Sequence, residues 1–246
     1  MPVSQFMRIK ADTFENWDLF PEVKPIKRAA MAGDPPKDSM AQSPSGKFVY
    51  TKLTLPAGTE LQVYDFSRNY RRGTAVFDQD VHIPRVNERD ASGRIPTLPW
   101  MSITPNELLS LNKGLRHVKG HTVIGGLGLG WQAVKASHHP KCKRLTIVER
   151  SQDLVEWIMP RLKDKWAVEP TVVVGAAFKE LPKIQADVCL LDIFPDFGDN
   201  NGESEQLRSK ATGIKQWWVW GGAVKHETSR DRYEELSYRL AAMLRR

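Results

Sequence analysis

Four glycines and two acids are the residues of this chain whose types and spacing could do chemistry. In residues 121–131 a β-branched run, Thr122, Val123 and Ile124, breaks into glycines at 125, 126, 128 and 130. Glycines spaced this way let backbone approach a ligand closely in the first strand-to-helix turn of a doubly wound sheet. A second apolar run, 145–148, ends in Glu149, nineteen residues beyond Gly130. An acid at the tip of the next strand is where a ribose presents its two hydroxyls, so the pair points to a nucleoside-containing ligand. A further apolar run, 188–191, ends in Asp192, at the edge where doubly wound sheets bind ligands.

Two nucleotide signatures are excluded. The dinucleotide fingerprint needs a third glycine three residues after the second, and that place holds Trp131. No glycine-rich turn runs into Lys followed by Ser or Thr, so there is no Walker loop. The spacing of Gly126, Gly128 and Gly130 instead resembles motif I of class I S-adenosylmethionine-dependent methyltransferases. More narrowly, IGGLGLG followed by LTIVERSQDLVEWI is similar to the spermidine-synthase-like branch of that superfamily. In that branch a strand reading DVIxxD comes later, and residues 187–192 here read DVCLLD. The resemblance covers roughly residues 100–195 and extends to short members of the branch from bacterial viruses.

That resemblance implies an S-adenosylmethionine-dependent transferase, most simply a methyltransferase. The cofactor would be held by Gly125, Gly126, Gly128, Gly130, Glu149, Arg150, Ala176, Ala177 and Asp192. In aminopropyl-transferring relatives an Asp matching Asp192 accepts a proton from the attacking amine, which an ammonium must lose before it can attack carbon. A second acid usually follows three residues on, whereas here position 195 is Pro and the next acid is Asp196. Asp192 and Asp196 are therefore the implied catalytic pair. Two other positions depart from the family. Ile124 stands where methyltransferases often carry an acid, and Gly175, Ala176 and Ala177 replace the usual Gly-Asp-Ala, whose Asp receives the adenine amine. An unreplaced acceptor costs about 1–3 kcal/mol of binding.

The charge pattern narrows the acceptor. The chain has 246 residues and a net charge of +7. Residues 187–203 carry five acids (Asp187, Asp192, Asp196, Asp199, Glu203) and no base. A loop of that sign over a site suits a small amine or other cationic acceptor and opposes a phosphate backbone. The basic residues Lys113, Arg116, Lys119, Lys135, Lys141, Lys143 and Arg144 support a rival reading, transfer onto nucleic acid, and residues 192–195 (Asp-Ile-Phe-Pro) are faintly similar to the Asp/Asn-Pro-Pro-Tyr motif of DNA amino-methyltransferases. A third reading is a non-catalytic cofactor-binding or interaction module. Phe178, Phe194 and Trp131 lie in segments expected to line the cleft. Trp217, Trp218 and Trp220 read as core or subunit contact, so a homo-oligomer is possible. His138, His139 and Cys142 lack a fourth ligand, and no metal site is expected.

The elements that must position these residues form an α/β chain. The expectation is a Rossmann-like, doubly wound, mostly parallel sheet over residues 99–246, truncated on its C-terminal side. It is preceded over residues 1–98 by an irregular arm and a small β region. Proline breaks residues 21–46 too often for a helix. Strands are expected at 48–55, 60–66 and 74–83, with a loop over 84–99. Thr104, Pro105 and Glu107 read as a capping box opening a helix. A short helix is expected from Trp131 to Ser137. Ser151 should cap a helix whose inner face is Leu154, Val155, Ile158 and Leu162, bent or restarted at Pro160. Strands at 171–174 and 188–191 and an amphipathic helix over 230–244 complete the pattern. No apolar run reaches the ~18–20 residues of a membrane span, and the N-terminus lacks a secretory apolar core. With no disulfide framework from Cys142 and Cys189, the expectation is a cytoplasmic protein without membrane partners.

Overall fold

The computed structural model describes residues 5–9, 17–27, 35–65, 71–96, 99–194 and 201–221. The chain folds into two compact units. One comprises residues 1–113, 128–135 and 151–167; the other comprises 114–127, 136–150 and 168–246.

Among the described residues the first unit holds eight strands: β1 (Gln5–Ile9), β2 (Ile26–Lys27), β3 (Ala41–Gln42), β4 (Phe48–Leu55), β5 (Glu60–Asp65), β6 (Arg71–Phe77), β7 (Val81–Glu88) and β8 (Met101–Ser102). They form a three-stranded sheet, β1-β6-β5, and a second sheet, β2-β4-β7-β8, with β3 paired to β4. β4 and β7 pair antiparallel along their whole length, from Phe48 opposite Glu88 to Leu55 opposite Val81. Phe48 and Tyr50 of β4 and Ile83 of β7 are fully buried, as is Phe77 at the end of β6. Phe20, from the proline-rich arm, packs 4.5 Å from the Tyr50 ring and 4.9 Å from that of Trp157. Among these apolar groups Lys52 is buried and paired with Asp18, which also accepts from the Tyr50 hydroxyl.

Two expectations fail in this region. The single strand over 74–83 is two strands, because Asp78, Gln79 and Asp80 make a turn. Asp80 anchors it by accepting from Ala57 N–H at 2.8 Å. The loop expected from residue 84 is instead the second half of β7. Pro84 supplies no N–H to the ladder, yet its carbonyl accepts from Ile103 N–H at 3.0 Å, so pairing carries on through it.

Helix α1 (Pro105–Leu115) opens as its sequence suggests, with Glu107 N–H donating to Thr104 Oγ1 at 3.3 Å. It leads to β9 (Gly120–Gly125), the glycine turn and α2 (Trp131–Ser137), then β10 (Cys142–Glu149) and α3 (Gln152–Leu162). Ser151 caps α3 by accepting from Leu154 N–H. Its buried face is Leu154, Trp157, Ile158 and Leu162; Trp157 takes the place expected of Val155, which is half-buried. The helix continues two residues past Pro160 without a restart. There follow β11 (Pro170–Val174), α4 (Ala177–Glu180), β12 (Val188–Leu191), α5 (Asn201–Lys210) and β13 (Trp217–Val219).

In the second unit these strands form one sheet in the order β11-β10-β9-β12-β13, every pair parallel. By position in sequence that order is 3-2-1-4-5, the order of a Rossmann-like doubly wound sheet, with its reversal between β9 and β12. β12 is buried at every residue, as a central strand covered on both faces must be. Among the described residues one strand, β13, follows the fourth; the helix expected over 230–244 lies outside them. Cys142 and Cys189 are buried free thiols. No helix among the described residues is long and apolar enough to cross a membrane.

Candidate functional site

In the second unit parallel pairing brings the ends of four strands to one edge of the sheet. Gly125 closes β9, Glu149 closes β10, Gly175 follows β11 and Asp192 follows β12. The register is tight at that edge. Asp192 N–H donates to Gly125 O, Gly126 N–H to Val148 O, and Gly175 N–H to Glu149 O, each at 2.8 Å.

The backbone demands glycine at 126, whereas at 125 a side chain would have to displace the tip of Leu191. A Cβ on Gly125 would lie 2.5 Å from Leu191 Cδ1. Gly126 has φ +95, and a Cβ there would collide with the carbonyl oxygen of Asp192. The turn is thus packed directly against the chain that carries the second candidate acid.

Glu149 is 4% exposed, and Leu127 N–H donates to its Oε2 at 2.9 Å. The acid at the tip of β10 therefore holds the backbone of the glycine turn. A carboxylate offers about four acceptor sites, so this bond is compatible with accepting further hydroxyls. That structural half of its role was not legible in the sequence, because a 22-residue separation gives no hint of which backbone amide will face the acid.

Asp192 is half-buried, and among the described residues its carboxyl has no hydrogen-bond or ion-pair partner. Desolvation alone pushes it up from an ordinary 3.8 to about 7. A carboxyl poised there can take or give a proton near neutral pH.

The other expected site residues are placed less centrally. Arg150 is exposed, Ala176 is exposed, and Ala177 is buried in a core cluster with Val123, Leu181, Leu191 and Phe194. Gly175 makes room for Glu180: a Cβ there would lie 2.6 Å from Glu180 Cγ. The Glu180 carboxylate is held by Lys183 Nζ at 2.8 and 2.9 Å. Asp196 and Asp199 lie outside the described residues.

The acidic stretch does not act as one cluster. Asp187 sits at the opposite edge of the sheet from Asp192, where it accepts from His121 N–H and pairs with Lys215. A four-residue strand separates the two acids, and Glu203 lies exposed in the first turn of α5. Of the loop expected over residues 192–203, the described residues place Asp192 at the carboxyl edge of the sheet and Glu203 in α5.

Gly128 and Gly130 belong to the first unit, with φ of +55 and +74. A Cβ on Gly130 would collide with Leu162. Trp17 Nε1 donates to Leu129 O at 2.9 Å, and Trp131 is buried with Lys135 Nζ 5.9 Å from its ring centre. One residue that the sequence did not single out follows it. Gln132 is 7% exposed, and its Nε2 has no hydrogen-bond partner among the described residues. Groups of three or more His, Cys, Asp or Glu arranged to hold a metal are absent among the described residues.

No protein-family model matches the sequence, and no curated protein matches it. Among solved structures it is similar to a dimethyladenosine transferase from Plasmodium falciparum (20% identity, TM-score 0.35). That match covers 44% of this chain and 36% of that one. It is similar to a precorrin-6y C5,15-methyltransferase from Geobacter metallireducens (17% identity, TM-score 0.38), over 57% of this chain and 72% of that one. It is also similar to a SAM-dependent methyltransferase from Thiobacillus denitrificans solved in complex with S-adenosyl-L-homocysteine (20% identity, TM-score 0.34), over 44% of each chain. The chain thus spans about a third of the Plasmodium enzyme's length.

Proposed function

We propose that the carboxyl edge of the parallel sheet binds the nucleoside of S-adenosylmethionine, and that the protein is a methyltransferase acting on a small amine or other cationic acceptor. The observation that carries this reading is the buried Glu149 clasping the glycine turn while Asp192, unpartnered among the described residues, packs its backbone against Gly126. The sequence motifs of the spermidine-synthase-like branch support the same cofactor. The Glu149 carboxylate, which offers acceptor sites beyond the one that Leu127 N–H fills, is an acceptor of the kind a ribose requires.

When bound, the cofactor supplies an electrophilic carbon on a sulfonium centre. Glu149 fixes the turn and accepts ribose hydroxyls, in charge-assisted bonds worth about 1.5–3 kcal/mol each. Asp192 accepts the proton of an incoming ammonium, leaving a neutral nitrogen with a free lone pair. Positioning of that nitrogen by the sheet edge supplies much of the rate.

Calorimetric titration with S-adenosylmethionine, its decarboxylated form and NAD tests the reading. The native protein should bind a sulfonium compound and not NAD. Glu149→Gln, which keeps an acceptor for Leu127 N–H and removes the charge, should bind at least tenfold more weakly. Unchanged affinity removes Glu149 from the ribose; failure of all three ligands to bind refutes the proposal.

A further inference from the structure

The opposite edge of the same sheet is strongly basic. Arg116 and Lys119 lie just before β9, Lys141 just before β10, Lys143 and Arg144 within its first three residues, and Lys215 just before β13; all six are exposed. Parallel pairing brings them together, since Cys142 faces Gly120, Arg144 faces His121, and Gly120 N–H donates to Lys141 O at 2.7 Å. The register shift between Cys142 and Arg144 leaves two consecutive cations, Lys143 and Arg144, both in solvent rather than one turned inward. The acid among them is Asp187, already paired with Lys215 at 2.8 Å; Glu169, before β11, stands at the flank. Neighbouring strands are about 4.8 Å apart, so the cations from β10 to β13 extend over roughly 15 Å.

We propose that this edge is a docking surface for the phosphate backbone of duplex DNA. Charge complementarity selects a polyanion. Among the described residues the exposed side chains of this edge are mostly cations, with the Trp217 ring half-buried, and that favours a duplex backbone over a single strand whose bases need exposed rings to stack on. The surface lies a strand's length, about 17–20 Å, from Gly125 and Asp192. It therefore tethers the protein to nucleic acid without delivering a base to the candidate site, which reconciles a basic flank with a cationic acceptor. The proposal stands apart from the cofactor reading, and its test uses no cofactor.

Fluorescence anisotropy of a labelled duplex of about 20 base pairs, titrated with the full chain across a range of KCl concentrations, reads the surface directly. With Lys215 occupied by Asp187, up to about five phosphate contacts give a log–log salt slope of about −4 to −5. The triple variant Lys119→Ser, Lys141→Ser, Lys143→Ser should lose about 2–3 from that slope and bind more than about tenfold more weakly near 0.1 M salt. The matching Lys→Arg triple should keep the native slope, which separates charge from folding. Absent binding by the native chain overturns the proposal, as does an unaltered slope in the Ser variant. Equal or tighter binding to a single-stranded RNA of the same length or to phosphatidylserine vesicles overturns it as well.

Discussion

Replacing Asp192 by Asn separates a poised base from an ordinary surface acid. In the unfolded chain this carboxyl ionises near 3.8; in the fold, desolvation holds it protonated to about 7. The folded form is therefore the better proton binder. Its contribution to stability is fully present below the unfolded value and is lost as pH rises through the folded one. Each pH unit between the two costs about 1.4 kcal/mol, so the native protein should lose about 2–3 kcal/mol from this group between about pH 5 and pH 8. Asp192 keeps part of its surface in water, which favours the lower end of that range. Asparagine cannot ionise and carries no such loss. Urea unfolding of both proteins across this interval should show Asp192→Asn gaining about 2 kcal/mol on the native protein as pH rises, with unchanged m-values. Under the proposed function, the same substitution should abolish the limb of methyl-transfer rate that rises through about pH 7, because Asp192 is the base that reading assigns to the ammonium proton. A stability difference that stays flat across the interval means the carboxyl ionises at its ordinary value, and the argument for a desolvated base collapses.

Two further outcomes follow from the same sheet. Gly126→Ala places a side chain at φ +95 against the Asp192 carbonyl; it should cost at least about 2 kcal/mol in thermal or urea unfolding, and near-native stability would show that the turn is looser than described. His121 is held below its ordinary 6.5 by burial and by Arg144, against the opposing pull of the Gln185 carbonyl and Asp187, with Thr146 on its Nε2. A lowered value means stability present above 6.5 and lost as pH falls through the folded value. His121→Gln should flatten that acid limb of an unfolding-versus-pH curve, and an unaltered limb would assign it to other groups.

Why some of this was legible in the sequence and some was not has a physical basis. The strands of the parallel sheet announce themselves because burial on both faces demands unbroken apolar runs, and their tips announce themselves because an acid or a glycine ends each run. Ser151 and Thr104 were readable as caps because capping is local, settled within about three residues. The first unit was harder. Pro84 reads as a stop, and only the partner strand and the Ile103 amide reveal that the ladder passes through it. Val155 lost its inward place to Trp157 because Phe20, more than a hundred residues away, supplies an aromatic partner there. The bond from Leu127 to Glu149 and the orphaned Gln132 amide are long-range facts of the same kind, and no periodicity encodes them.

The separation of Asp187 from Asp192 shows how a strand converts composition into function. Counted along the chain, these two acids belong to one negative stretch. β12 carries them to opposite edges of the sheet, about 16–17 Å of extended backbone apart. At one edge Asp187 meets Lys215 and the backbone of His121, is held well below the usual carboxylate range by Lys215 first of all, and stays ionised as a structural clasp. At the other, Asp192 meets no cation among the described residues, and burial drives it the opposite way. Two identical side chains on one strand's flanks thus differ in protonation at neutral pH, one permanently charged and one able to exchange a proton. The exposed cations around Asp187 set the sign of one edge, while desolvation of Asp192 gives the other a carboxyl able to exchange a proton near neutral pH.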